Sequence, residues 1–234
     1  MATDPRKRQK QLARKAAKRK AAVASRKHTE GYAGAVSGAR HMSVAVQAPL
    51  HECLMGRELF ETGMGTVIVS RAMPSGRIGA AFFLLDVFCL GVKNAYFVAE
   101  LRAEYHLRLE HVAYHERLTP IAPDYARKLV EGAEAYARDL GFPPHPDYQL
   151  ARQIFADIDA TTCRTQFTFG KDGKPFYVVG PHDTPQRMRR IVETLTQRCG
   201  PDGFHYLVLA GDVPEFEDED DDETIIEAEY RQLQ

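Results

Sequence analysis

Three residues at the end of an apolar stretch could form a reactive site. Asp86, Cys89 and Lys93 lie within the sequence DVFCLGVK. In the functional interpretation, Lys93 keeps Asp86 ionised and Cys89 acts as a nucleophile at the end of a buried strand. In the structural interpretation, Asp86 pairs with Lys93 or with backbone amides, and Cys89 packs as a small apolar residue. The sequence favours the structural interpretation, because it contains no recognisable base that would activate the thiol.

A second group of candidates combines acidic residues with histidines. His145 and Asp147 lie in the rigid sequence PPHPD, and Asp157 and His182 follow later in the chain. Oxygen and nitrogen ligands of this kind suit a metal-assisted hydrolase. Alternatively the acids are structural, since Asp147 is placed to begin a helix as its N-cap. The hydrolase is the second hypothesis for function, and it requires these four side chains to meet in one pocket.

The sequence HVAYH contains a third candidate site. It places His111 and His115 one helical turn apart, so that both imidazoles could contact one metal ion. Zinc peptidases with the HExxH motif have a glutamate after the first histidine as the general base, whereas this chain has Val112. Two surface histidines on a charged helix explain the pattern equally simply. The sequence therefore favours no bound metal, and it predicts no cofactor.

The N-terminal end is strongly basic. Residues 1–28, which we call the basic segment, contain 11 Lys or Arg residues and one acid, Asp4. High positive charge suits phosphate contacts, and the lack of an insertable apolar face argues against binding to a membrane. The segment predicts nucleic-acid binding, with structured RNA favoured because no element that would read bases in the major groove is visible. The predicted phosphate contacts are Arg6, Lys7, Arg8, Lys10, Arg14, Lys15, Lys18, Arg19 and Lys20.

The C-terminal end has the opposite charge. Residues 212–234, which we call the acidic segment, contain 11 Asp or Glu residues and one base, Arg231. Residues 29–211 are close to neutral, so both charged segments are predicted to be disordered or partly helical arms. The acidic segment could fold back on the basic segment or bind a basic protein surface. A third hypothesis for function is therefore a protein–protein adaptor.

These candidates require a scaffold, and its centre is predicted at residues 65–97. β-Branched and aromatic residues are densest there, and the Pro and Gly of Met73–Arg77 predict a tight reversal between two strands. The second strand, Ile78–Phe88, is apolar at nearly every position, as expected when both of its faces are covered. Amphipathic helices are predicted to cover this central hairpin at Pro49–Glu61, Glu100–Arg117 and Asp124–Leu140.

A second unit is predicted after the proline-rich loop at residues 142–146. Strands at Thr165–Gly170 and Pro175–Gly180 carry alternating aromatic residues and flank the turn sequence KDGK. A helix at Gln186–Arg198 and a strand at Phe204–Ala210 complete a β-β-α-β unit. The whole pattern predicts an α+β fold with a mainly antiparallel sheet.

The charge and glycine patterns predict the domain organisation. Residues 1–40 form the basic segment and a glycine-rich joint, residues 41–211 form one domain with a possible sub-boundary near 141–147, and the acidic segment follows. The four cysteines are at least 36 residues apart, no signal peptide opens the chain, and no apolar run is long enough to cross a bilayer. We therefore expect a cytoplasmic RNA-binding accessory protein rather than an enzyme.

Overall fold

The fold is described from a computed structural model of the chain. The structure describes residues 38–180 and 183–207. The basic segment with its nine predicted phosphate contacts, the acidic segment and His182 lie outside the described residues. Of the predicted glycine-rich joint, only residues 38–40 are described, and they belong to a helix, α1, at residues 38–45.

The centre of the fold is a five-stranded antiparallel sheet. Its strands are β1 (Leu50–Gly56), β2 (Met64–Ala72), β3 (Arg77–Asp86), β4 (Gly91–Leu101) and β5 (Leu118–Pro120). They lie in the order β4-β3-β2-β1-β5. The predicted α+β class with a mainly antiparallel sheet is confirmed.

The predicted central hairpin is formed by β2 and β3. Ile68 lies opposite Phe82 in this pair, and the reversal is closed by a hydrogen bond from the Met73 amide to the Arg77 carbonyl at 2.9 Å. Side chains alternate between the two faces of a strand, so Phe83 belongs to one buried cluster and Phe82 to another. The expectation that both faces of β3 are covered is therefore confirmed.

Helices cover the two faces of the sheet. On one face lie α1, α4 (Pro123–Asp139) and the short α5 (Tyr148–Ala151), which continues as a 3-10 turn at Arg152–Phe155. On the other face, α3 (Arg102–His115) packs through the fully buried Tyr105. The predicted second and third amphipathic helices are confirmed as α3 and α4. A further 3-10 turn lies at Ala160–Thr162.

The predicted helix at Pro49–Glu61 is wrong. Most of it is strand β1, which pairs with β2 on one side and β5 on the other, and only the four residues of α2 (Leu59–Thr62) are helical. The apolar run Cys53-Leu54-Met55 is buried because β1 lies inside the sheet with both faces covered. Such a short apolar run fits a buried strand as well as a helix, and pairing with neighbouring strands decides between them.

The C-terminal unit forms a small second sheet. Strands β6 (Phe176–Val178) and β7 (His205–Leu207) are parallel and are joined by α6 (Pro185–Cys199). The predicted helix at Gln186–Arg198 and the described part of the predicted strand at Phe204–Ala210 are confirmed.

The first strand predicted for this unit, Thr165–Gly170, is not formed. Its aromatic side chains pack on α4 instead, with the Phe167 ring against Tyr125 and the Phe169 ring against Tyr136. The unit is therefore β-α-β. Of the helices in the described ranges, none has the length and apolar character needed to cross a membrane.

Candidate functional site

Two clefts in the described part of the chain are lined by charged residues. The first, which we call the mixed cleft, has a volume of about 1460 Å³ and lies between the end of α1, α4 and the turns that follow α5. Its lining contains both signs of charge in similar number. These charged residues are Arg71, Arg127, Arg152, Asp124, Glu131, Asp157 and Asp159.

Arg71 forms the floor of the mixed cleft. Its side chain is only 4% exposed and donates hydrogen bonds to the Ile154 carbonyl at 2.9 Å and to the Ala48 carbonyl at 2.8 Å. A third bond, at 2.7 Å, reaches the carboxylate of Asp157, which is 85% exposed. This bond from Arg71 lowers the pKa of Asp157. A buried guanidinium is tolerated because its donors are satisfied, and Arg71 thereby ties β2 to the turn after α5.

The other two arginines of the mixed cleft are also paired, both with Glu131. Glu131 accepts from Arg127 Nε at 3.0 Å and lies 3.4 Å from Arg152 Nη2. Asp159 accepts from the Thr161 amide at 2.9 Å, which closes a local turn. The cations of this cleft are therefore largely neutralised within the protein.

The second cleft, which we call the basic cleft, has a different lining. It has a volume of about 640 Å³ and lies between the start of β4, the loop at residues 141–146 and the first half of α6. Of its described lining residues, none is an aspartate or glutamate. The groups that carry or can carry positive charge there are Lys93, Arg187, Arg190 and His145.

The fold positions these cations from three separate elements. The loop is fixed to β4 by a hydrogen bond from the His145 amide to the Val92 carbonyl at 3.0 Å, which places His145 near Lys93. Helix α6 begins at its N-cap Thr184, whose hydroxyl accepts from the Arg187 amide at 3.3 Å. Its first turns carry Arg187 and Arg190 along the wall of the cleft, and the helix N-terminus adds partial positive charge.

The acidic partners of these cations are buried behind the cleft. Arg187 Nε lies 3.0 Å from Asp183, and their side chains are 55% and 6% exposed. Asp183 also accepts from Tyr177 Oη at 2.9 Å and from the Gly180 amide at 3.0 Å, so its carboxylate is held inside the protein. No ion pair with Arg190 is formed by the residues that the structure describes.

Asp86 also lies behind this cleft. It is 4% exposed, and one carboxylate oxygen accepts from the Phe88 amide at 3.1 Å and from the Cys89 amide at 2.9 Å. Burial raises the pKa of Asp86, against the opposing effects of Lys93 and these amides. The prediction of a buried Asp86 satisfied by backbone amides is confirmed. Cys89 is fully buried, and burial raises the pKa of its thiol, so the geometry favours packing over nucleophilic chemistry.

The three residues of the hydrolase hypothesis that the structure describes do not meet in one pocket. His145 lines the basic cleft, whereas Asp157 lines the mixed cleft and is bound to Arg71. Asp147 stands at the N-cap position of α5 as predicted, but its side chain makes no capping bond, and its amide donates to His145 Nδ1 at 3.3 Å.

His111 and His115 lie beside each other on the exposed side of α3, with ring centroids 5.3 Å apart. Within residues 38–180 and 183–207, no three His, Cys, Asp or Glu side chains are grouped so that they could hold a metal ion.

The sequence patterns did not single out Arg71, Arg187 and Arg190. Arg71 had a usable signal, because it interrupts an otherwise apolar strand, VIVSRA. The predicted helix at Gln186–Arg198 contains four arginines and one glutamate, which could have suggested a basic surface.

Comparisons of the chain with protein-family models, with curated proteins and with solved structures found no match. The function is therefore proposed from the difference in charge between the described lining residues of the two clefts.

Proposed function

We propose that the protein binds RNA through phosphate contacts made by the basic cleft and by the basic segment. The observation that carries this proposal is the lining of the basic cleft, where three Lys or Arg side chains and His145 come together and none of the described lining residues is an acid. The basic segment supports it, with 11 Lys or Arg residues among its 28. The nine phosphate contacts predicted between Arg6 and Lys20 are part of this proposal.

The chemistry of the basic cleft suits a phosphate. Guanidinium groups bind phosphate oxygens through two parallel hydrogen bonds, and lysine contributes a mobile point charge. Apolar residues, including Phe142 and three prolines, form the rest of the lining and give a surface on which a sugar or base can lie. RNA is proposed ahead of duplex DNA because the loops of a structured RNA present phosphates together with unstacked bases, whereas the bases of a duplex stay stacked.

The experiment measures binding of a fluorescent RNA hairpin by anisotropy at low salt. Arg190→Glu places a negative charge in the basic cleft and is expected to weaken binding about tenfold. Arg164→Glu is the matched control, because Arg164 is an exposed arginine that lines neither cleft. It is expected to change affinity about twofold at most, through the general field of the protein.

Deletion of residues 1–28 in the same assay tests the contribution of the basic segment. It is expected to remove most of the affinity and to flatten the salt dependence of binding. Equal effects of the two arginine variants would contradict a role of the basic cleft, and unchanged binding after the deletion would contradict a role of the basic segment. Stronger binding to a duplex DNA than to the hairpin would replace RNA with DNA as the ligand.

A further inference from the structure

The described chain ends beside the basic cleft. Leu207 is the last described residue of β7, and its carbonyl accepts from the Val179 amide at 3.0 Å. Gly180, the residue after Val179, lies close to the cleft. A β-carbon built on Gly180 would lie 3.6 Å from Lys93 Nζ. The end of β7 is therefore separated from Lys93, a lining residue of the cleft, by little more than residues 179–180, which directly follow β6.

The parallel pairing of β6 and β7 explains this position. Parallel strands end at the same edge of a sheet, and α6 begins only a few residues after β6. The end of β7 and the arginine-bearing first turns of α6 thus lie on the same side of the C-terminal unit. The chain that follows Leu207 starts from the side where the basic cleft opens.

The acidic segment starts a short distance further along the chain. Four residues separate Leu207 from Asp212, so Asp212 can lie at most about 17 Å from Leu207 even in a fully extended chain. Nine of the 11 acidic residues of the segment fall within residues 212–223. A dense set of carboxylates is thus tethered within reach of a cleft that has no acid among its described lining residues.

We propose that the acidic segment occupies the basic cleft of its own chain, with its carboxylates bound to Lys93, Arg187 and Arg190. The short connection from β7 gives the segment a high effective concentration at the cleft, so weak individual ion pairs suffice for occupancy. If nucleic acid binds the basic cleft, it must displace the acidic segment, and this step rests on the proposed function. The contact between the acidic segment and the cleft does not depend on that function. Ligands with a higher charge density than the segment bind the cleft, and weaker ones are excluded.

The test uses the full chain without nucleic acid, at low protein concentration, and a carbodiimide that couples a lysine amine to a carboxylate in contact with it. Mass spectrometry of the monomer is expected to find Lys93 coupled to acidic residues between 215 and 223. The yield is expected to fall about fivefold in Arg190→Glu, where like charges repel the segment, and to stay unchanged in Arg164→Glu. Coupling is also expected to disappear in about 1 M salt, which screens exposed charges beyond about 3 Å.

Two results would overturn the inference. One is coupling of the acidic segment only to lysines of the basic segment, and the other is an equal yield in the two arginine variants. The proposed function is tested separately, because RNA is absent from this experiment. Coupling at Lys93 without RNA binding contradicts only the proposed function, and RNA binding that depends on Arg190 without coupling at Lys93 contradicts only this inference.

Discussion

Each of the two clefts is lined by an arginine that pairs with an aspartate, but the pairs are oriented in opposite ways. In the mixed cleft the cation Arg71 is 4% exposed and Asp157 is 85% exposed, whereas in the basic cleft Arg187 is 55% exposed and Asp183 is 6% exposed. The buried partner of each pair stabilises the fold, and the exposed partner is accessible to a ligand. The same ion pair can therefore present either charge to solvent, depending on which side chain the backbone encloses.

The surroundings of each buried partner reinforce this difference. Arg71 is held by backbone carbonyls of Ala48, Ile154 and Phe155, which satisfy a cation. Asp183 is held by the hydroxyl of Tyr177 and a backbone amide, which satisfy an anion. Charge at a surface is thus set by the hydrogen-bonding groups behind it, and we expect the buried partners to control stability and the exposed partners to control binding.

The largest stability effect is expected when Arg71 is removed. Arg71→Ala leaves three buried carbonyls without their donor, so it should lower the free energy of unfolding by about 3 kcal/mol or more. For a domain of this size, that corresponds to a decrease in Tm of roughly 6–12 °C. Arg187→Ala is the matched variant in the basic cleft. It removes the cation beside the buried Asp183 but leaves that carboxylate its bonds from Tyr177 and the Gly180 amide, so it should cost less than Arg71→Ala, about 1–2 kcal/mol.

Thermal and urea denaturation of the two variants decide this prediction. A Tm of Arg71→Ala within about one degree of that of the intact protein would show that its carbonyl partners are satisfied in another way. A larger loss for Arg187→Ala than for Arg71→Ala would reverse the distinction between the two clefts.

A smaller effect is expected at Asp86, the buried acid behind Lys93. Asp86→Ala removes the acceptor of the Phe88 and Cys89 amides and should cost about 2 kcal/mol. Asp86→Asn keeps a carbonyl oxygen in that position and should cost less. The comparison separates the hydrogen bonds of this carboxyl from its charge.

The raised pKa of Asp86 also predicts a pH dependence. In the folded state the carboxyl keeps its proton to a higher pH than in the unfolded chain, so folding takes up a proton between the two pKa values. The stability contributed by Asp86 therefore increases as pH falls from neutral through the folded pKa towards 3.8. Measured by urea unfolding, the stability of the intact protein relative to Asp86→Asn should rise over that range, and a difference that stays constant would refute the raised pKa.

The sequence was sufficient for the elements that carry local signals. Helices α4 and α6 have amphipathic spacing and a proline at the first position, and the hairpin of β2 and β3 has a turn sequence between apolar runs. The helix predicted over β1 is wrong because the apolar run is short and its pairing with β2 and β5 is not a local property. The stretch at residues 165–170 has strand-like alternation, but its aromatic side chains are bound by α4.

The sites depended more strongly on distant parts of the chain. The burial of Asp86 could be predicted, since an acid in an apolar strand must be satisfied locally. The basic cleft could not, because Lys93, His145 and Arg190 are far apart in the sequence and come together only through the packing of β4, a loop and α6. The burial of Asp183 is also a property of the fold, because the sequence alone does not show whether this side chain is buried or exposed.

Phosphate binding by the basic cleft is tested most simply by the salt dependence of RNA binding, measured for the intact protein and two variants. The double variant Arg187→Gln/Arg190→Gln loses two phosphate contacts, so the slope of log affinity against log salt should become shallower by about 1.4. Arg152→Gln removes a cation of the mixed cleft that is already paired with Glu131, and it should leave the slope unchanged. A shallower slope for Arg152→Gln together with an unchanged slope for the double variant would show that RNA binds the mixed cleft. That result would contradict RNA binding by the basic cleft.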